Sequence, residues 1–212
     1  MFHQKRNKDI EYDMDFPPTG IDYDSWDKHT ADRYFKWFIE QIPIRMEYFQ
    51  KRVADDLKIE KLLLDYSPES LITVWDWYIK VAIIEDVPAE TIKRIKQSPA
   101  YNLFGESYIN KEQLSLNSIL IQRDIGMYLA QVFLKESPKL QWTYEHDPPS
   151  KKVKNVFNNR PALTGFIGVN HPYSFEPIHM VGVQGISVLE GDAKKQDLFD
   201  LYNQYSEWLP KP

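Results

Sequence analysis

Residues 114–136, LSLNSILIQRDIGMYLAQVFLKE, carry the longest helical pattern in the chain. Ile121, Ile125, Tyr128, Leu129, Val132 and Phe133 recur at three- and four-residue steps, and the apolar sector they form is wide enough for a central, mostly buried helix. After Ser137-Pro138 the period changes. Leu140, Trp142 and Tyr144 alternate with Gln141, Thr143 and Glu145, which is the period of a half-buried strand. Ala162 to Val169 offers a second strand, and Ile178 to Leu189 reads as a third, β-branched but broken by Gly182 and Gly185. The chain closes with a helix whose Leu198, Leu201, Tyr202, Tyr205 and Trp208 share one face.

Upstream of the long helix the pattern is also helical. Thr30 caps a helix with the stripe Tyr34, Phe38 and Ile42, widened by Phe35 and Ile39. Pro43 interrupts it and starts a second helix, in which Met46, Phe49, Val53 and Leu57 continue the face. Ser67-Pro68-Glu69-Ser70 opens the next helix, with Leu71, Val74, Trp75, Tyr78 and Ala82 as its stripe. A short amphipathic helix is expected from Pro88 to Gln97, and Tyr101 to Lys111 reads as a loop. Helices, then a small, mostly antiparallel sheet, then a terminal helix make an α+β fold, expected as one domain over residues 1–212.

Composition narrows the function classes. Apolar residues are 42% of the 212, with 6 Trp and 13 Tyr, far too much ring surface for a disordered chain. Without Cys there is no disulfide framework, no thiolate metal site and no cysteine nucleophile, which suits a cytoplasmic location. No stretch approaches the roughly 20 apolar residues that span a bilayer, and residues 1–10 lack a signal-like apolar region. A net charge of -5 sets up no field that attracts nucleic acid; the basic stretch Lys151, Lys152, Lys154 and Arg160 has too few charges to reverse that.

The usual catalytic signatures are missing. There is no G-x-S-x-G elbow, no phosphate-binding P-loop, no dinucleotide motif and no H-E-x-x-H, and no cofactor or metal is expected. Two features remain. Asp124 lies inside the apolar sector of the long helix, where an ionised carboxylate must be paired: either it is an internal tie accepting from Arg160, a Trp indole or a loop N–H, or it is a functional acid in a cleft. Gly126, two positions on, invites the close approach of another segment. The second feature is the segment up to Asp27. Asp9, Glu11, Asp13, Asp15, Asp22, Asp24 and Asp27 occur there with no Lys or Arg, interleaved with Tyr12, Phe16, Tyr23 and Trp26, around a turn at Pro17-Pro18-Thr19-Gly20.

Asp124-Ile125-Gly126-Met127-Tyr128-Leu129, then Leu140-Gln141-Trp142-Thr143-Tyr144, then Arg160-Pro161-Ala162-Leu163-Thr164-Gly165-Phe166 resemble uncharacterised proteins of Gram-positive bacteria. These share a D-x-G-x-Y helix, a W-x-Y strand and a P-x-x-x-G-F strand. The resemblance covers about the C-terminal half and implies no established activity; in character such small acidic proteins are similar to immunity or accessory proteins of bacterial conflict systems.

Two functions are expected from these readings. The first is a non-enzymatic binding protein whose rings dock residues 1–27 on the body, while Asp13, Asp15, Asp22 and Asp24, with Trp26, meet a basic protein partner. The second is a hydrolase-like enzyme using Asp124 with His171 or His179 in a cleft between the long helix and the sheet.

Overall fold

The computed structural model describes residues 12, 13, 16–20, 22–148, 150–167 and 173–210. The long helix, α5 (Leu116–Glu136), begins where the Ser115 side chain accepts from the Ser118 N–H, and it is the axis of the core. Ile125, Tyr128, Leu129, Val132 and Phe133 are all fully buried. Against it lie α1 (Lys28–Leu57) and α2 (Ser70–Val81); Phe49 of α1 packs between Trp77 of α2 and Tyr128 of α5. The Tyr128 hydroxyl also accepts from the Tyr66 N–H (3.2 Å) and bonds the Ser70 hydroxyl (2.7 Å), which fixes where α2 starts.

The C-terminal sheet is antiparallel, in the order β3 (Gln141–Thr143), β4 (Ala162–Phe166), β5 (Tyr173–Phe175). The β4–β5 pairing is irregular between Leu163 and Phe166. Gly165 sits there at φ +110°, and a Cβ on it would come within 2.8 Å of the Lys139 carbonyl, so only glycine fits the close backbone approach. Phe133 of α5 meets Phe166 and Phe175 of the sheet and Tyr202 of α7 (Asp197–Ser206). The architecture is α+β, with mainly helical N-terminal elements, a small C-terminal antiparallel sheet and a terminal helix.

Four local expectations are corrected. The stretch 178–189 is not a strand but α6 (Pro177–Glu190). Pro177 at its first turn and Gly191, left-handed at φ 79°, bracket it as helix start and stop, and Pro177, Val181, Gly185 and Val188 form its buried stripe. Pro43 does not divide α1, which runs through it. Pro43 and Ile39, whose carbonyl loses a donor, both face water, while Tyr34, Phe38, Ile42, Met46 and Phe49 stay in phase on the buried side. The cap of α1 is Asp27, accepting from the Thr30 N–H at 2.8 Å, rather than Thr30 itself. Residues 101–111 are largely helical: after α3 (Ala89–Lys96) comes α4 (Pro99–Phe104), capped by Ser98, then a 3-10 turn. Next, β2 (Glu112–Leu114) pairs with β1 (Ile84–Asp86) in a second, two-stranded sheet.

Helices α5 and α6 run antiparallel in close contact. A Cβ on Gly126 would fall 2.6 Å from the Ile178 backbone, and one on Gly185 would collide with the Gln122 side chain. The close approach expected at Gly126 is therefore the crossing of α6. Among the described residues, no helix is long and apolar enough to cross a membrane.

Candidate functional site

Asp124 is completely buried, and its carboxylate is saturated by three side chains. Oδ2 accepts from the Tyr12 hydroxyl (2.6 Å) and from Arg45 Nη2 (2.6 Å) and Nε (3.1 Å), and Oδ1 accepts from Arg123 Nε (3.2 Å). The donors of this buried carboxylate come from the acidic aromatic arm that ends at Asp27, from α1 and from α5, not from Arg160, an indole or a loop amide. Burial, and then the adjacent Asp124 charge, hold the Tyr12 hydroxyl protonated well above its ordinary range. A carboxylate engaged in this way has no face left for a substrate. His179 lies on the first turn of α6 with its ring against Phe157, and burial followed by the Arg160 charge lowers its pKa. His171 and Asp15 lie outside the described residues.

Of the arm residues, Tyr12 and Trp26 are buried in the core, and Trp26 packs on Tyr23 and Tyr34. Trp26 therefore holds the arm and offers no surface to a partner. Asp13, Asp22 and Asp24 face solvent. Their field is partly met from within, since Asp13 is 3.5 Å from Arg45 and Lys154 donates to the Asp24 carbonyl.

A second concave surface is built partly from α5. A groove of about 720 Å³ is walled by Thr91 and Ile95 of α3, by β1 and β2, and by the exposed ends of α5 and α6. Its apolar lining is unusually open: Leu116, Ile119 and Ile186 are each about half exposed, at 52%, 50% and 52%. Such residues cost apolar hydration unless covered, and a contiguous patch of them marks an interaction site. Gly182 leaves bare backbone in the floor, with nothing within 4 Å of where a Cβ would stand. Glu85 and Glu112 are the charged residues of the lining, which holds no Lys or Arg. Neither the groove nor its acids were singled out from the sequence. The signal was present in the apolar residues Leu116 and Ile119, which fall off the buried stripe of α5, but reading 178–189 as a strand hid the helix that completes the wall.

Comparison of the chain with family models, with curated proteins and with solved structures gives no match in any of the three.

Proposed function

We propose that this chain is a non-enzymatic protein-binding protein that takes an amphipathic helix of its partner, apolar on one face and flanked by Lys or Arg, in the groove between α3, β1–β2, α5 and α6. The single observation that carries this reading is a half-exposed apolar lining whose only charges are acidic. Leu116, Ile119 and Ile186 supply anchoring area, Gly182 lets a helix backbone come close, and Glu85 and Glu112 select basic flanks. The exposed acids of the arm add to the steering of a basic partner. An immunity or accessory role is the setting that the resemblance of the C-terminal half favours.

The test uses two labelled designed peptides of helical period, one of Leu and Lys and one of Leu and Glu, followed by fluorescence anisotropy against the protein and its Ile119→Asp and Ile186→Asp variants. The Leu/Lys peptide binds and the Leu/Glu peptide does not. Each variant weakens binding by about tenfold or more, roughly 1.4 kcal/mol. Because Asp adds negative charge, an attraction that is purely electrostatic would strengthen in these variants, and that result overturns the reading. Concentration-dependent dimerisation abolished by both substitutions would give the groove to a second copy instead.

A further inference from the structure

The loop joining β3 to β4 is tied more closely than a solvated connection requires. Its neck is closed by Glu145, which bridges to Asn158 and whose carbonyl accepts from the Asn159 N–H at 2.7 Å. Inside the neck, Asp147 accepts from the Asn155 N–H (2.6 Å) and Lys151 Nζ (2.7 Å) while its own N–H donates to the Asn158 side chain (2.7 Å). Asn159, at φ 61°, donates its amide to the Tyr23 carbonyl (2.7 Å), which joins the loop to the arm. Compact, internally bonded loops of this kind commonly carry function.

This framework presents a concavity of about 500 Å³ lined by Lys151, Lys152, Lys154, Asn155, Val156, Arg160 and, as its one acid, Asp24. Lys151 is paired with Asp147, whereas Lys152 and Lys154 have no carboxylate partner among the described residues. Arg160 forms the inner wall. Its guanidinium stands over the Tyr23 ring at 5.3 Å and 4.0 Å from Glu176 Oε2, an oxygen buried without any hydrogen-bond partner. A chain of net charge -5 repels anions in general, so this local cluster is a reversal of sign held on an internally hydrogen-bonded loop.

We propose that this concavity binds a phosphate-bearing small molecule, with Arg160 shared between the bound phosphate and the buried carboxyl of Glu176. Lys152 and Lys154 meet the phosphate oxygens as point charges and Arg160 as a planar fork. Glu176 is faced by the Arg160 charge from the loop, lies near the Tyr23 hydroxyl of the arm and the Tyr34 hydroxyl of α1, and accepts from the His179 backbone N–H of α6. Burial outweighs the Arg160 charge and raises its pKa to about 7. Below that pH the carboxyl is neutral and leaves Arg160 to the ligand; above it the carboxylate draws Arg160 inward and phosphate affinity falls.

Isothermal titration of tripolyphosphate into the full chain at about 50 mM salt, where screening is modest, reads the site. Lys152→Gln with Lys154→Gln lowers affinity by about tenfold or more. The exposed pair Lys194→Gln with Lys195→Gln changes it less than about twofold. Equal loss in both pairs, or no binding by the unaltered protein, overturns the site. ATP binding like tripolyphosphate assigns recognition to the phosphates. A 20-nucleotide single strand that binds far more tightly than either would make the surface a nucleic-acid site and overturn the small-molecule assignment. Titrating the unaltered protein and Glu176→Gln at about pH 6 and about pH 8 cancels the ligand's own ionisation. The two proteins agree at the lower pH, and the unaltered protein binds more weakly at the higher; a ratio independent of pH refutes the sharing of Arg160.

Discussion

Removing the charge of Asp124 should be among the most damaging conservative substitutions in the chain. Asp124→Asn keeps the size but turns one of the two acceptors, Oδ2 facing Arg45 and Tyr12 or Oδ1 facing Arg123, into a donor, and leaves the Arg45 guanidinium, 3% exposed, without its buried counter-charge. Breaking a buried ion pair from one side costs about 3–5 kcal/mol. The Asp13 carboxylate 3.5 Å from Arg45 Nη1 offsets part of this, so the lower end, about 3 kcal/mol, is expected. For a chain of this size, with a urea slope of roughly 2 kcal/mol/M, the midpoint falls by about 1.5 M. The six Trp provide the fluorescence readout. Arg45→Met with Asp124→Leu removes both members of the Arg45–Asp124 pair at once and should cost less than the sum of the two single substitutions, because neither member of that pair is left buried alone, although Arg123 and Tyr12 lose their acceptor. A single-variant loss below about 1 kcal/mol, or a double variant costing the sum of its parts, would refute the account of Asp124 as a buried ionic tie.

Helix α5 yields two further tests by urea unfolding: Ile125→Ala and Val132→Ala should each lose about 1–4 kcal/mol through cavity formation, and midpoints unchanged in both would remove α5 from the core. Gly126→Ala pushes a methyl against the Ile178 backbone and should cost about 1–3 kcal/mol. Gly182→Ala meets nothing within 4 Å and should instead raise stability by up to about 1 kcal/mol, while weakening Leu/Lys peptide binding in the groove. Glu176, with its pKa raised to about 7, retains its proton in the folded state where the unfolded chain has lost it. Its contribution is full below about pH 4.5 and disappears as pH rises through about 7, a decline of roughly 3 kcal/mol that Glu176→Gln should flatten in unfolding curves measured across that window.

Strongly periodic segments were legible in the sequence. The stripe of α5, the alternation around Trp142 and the face of α7 each reflect one dominant physical demand, the burial of apolar area on one side. The misread stretches are those where local propensity and context disagree. In 177–190 the β-branched residues and two glycines argue for strand, yet a proline at the first turn and a left-handed glycine at the end favour helix, and packing of Gly185 on Gln122 completes the argument. The three-residue strands β1 and β2 are too short to show a period at all. Asp124 was legible as a buried acid because it interrupts an apolar sector. Its partner Arg45 interrupts the stripe Ile42, Met46, Phe49 in the same way, but which of the two helices would face the other depends on tertiary packing. Glu176 gave no signal, since its burial comes from the loop and arm closing over it.

The Tyr12–Asp124 bond spans 112 residues, and this orders events during synthesis. At about 5–20 residues per second, the arm waits on the order of 5–20 s before its acceptor in α5 exists. Throughout that interval Tyr12 and Trp26, with Tyr23 beside them, have no finished core to enter, and bare rings on a nascent chain are an aggregation hazard. Charges spaced among rings oppose the aggregation of such a segment while it waits. A basic partner is one use for the charges at positions 13, 22 and 24; keeping the last piece of the core soluble until the centre has been made is another, and it requires no partner.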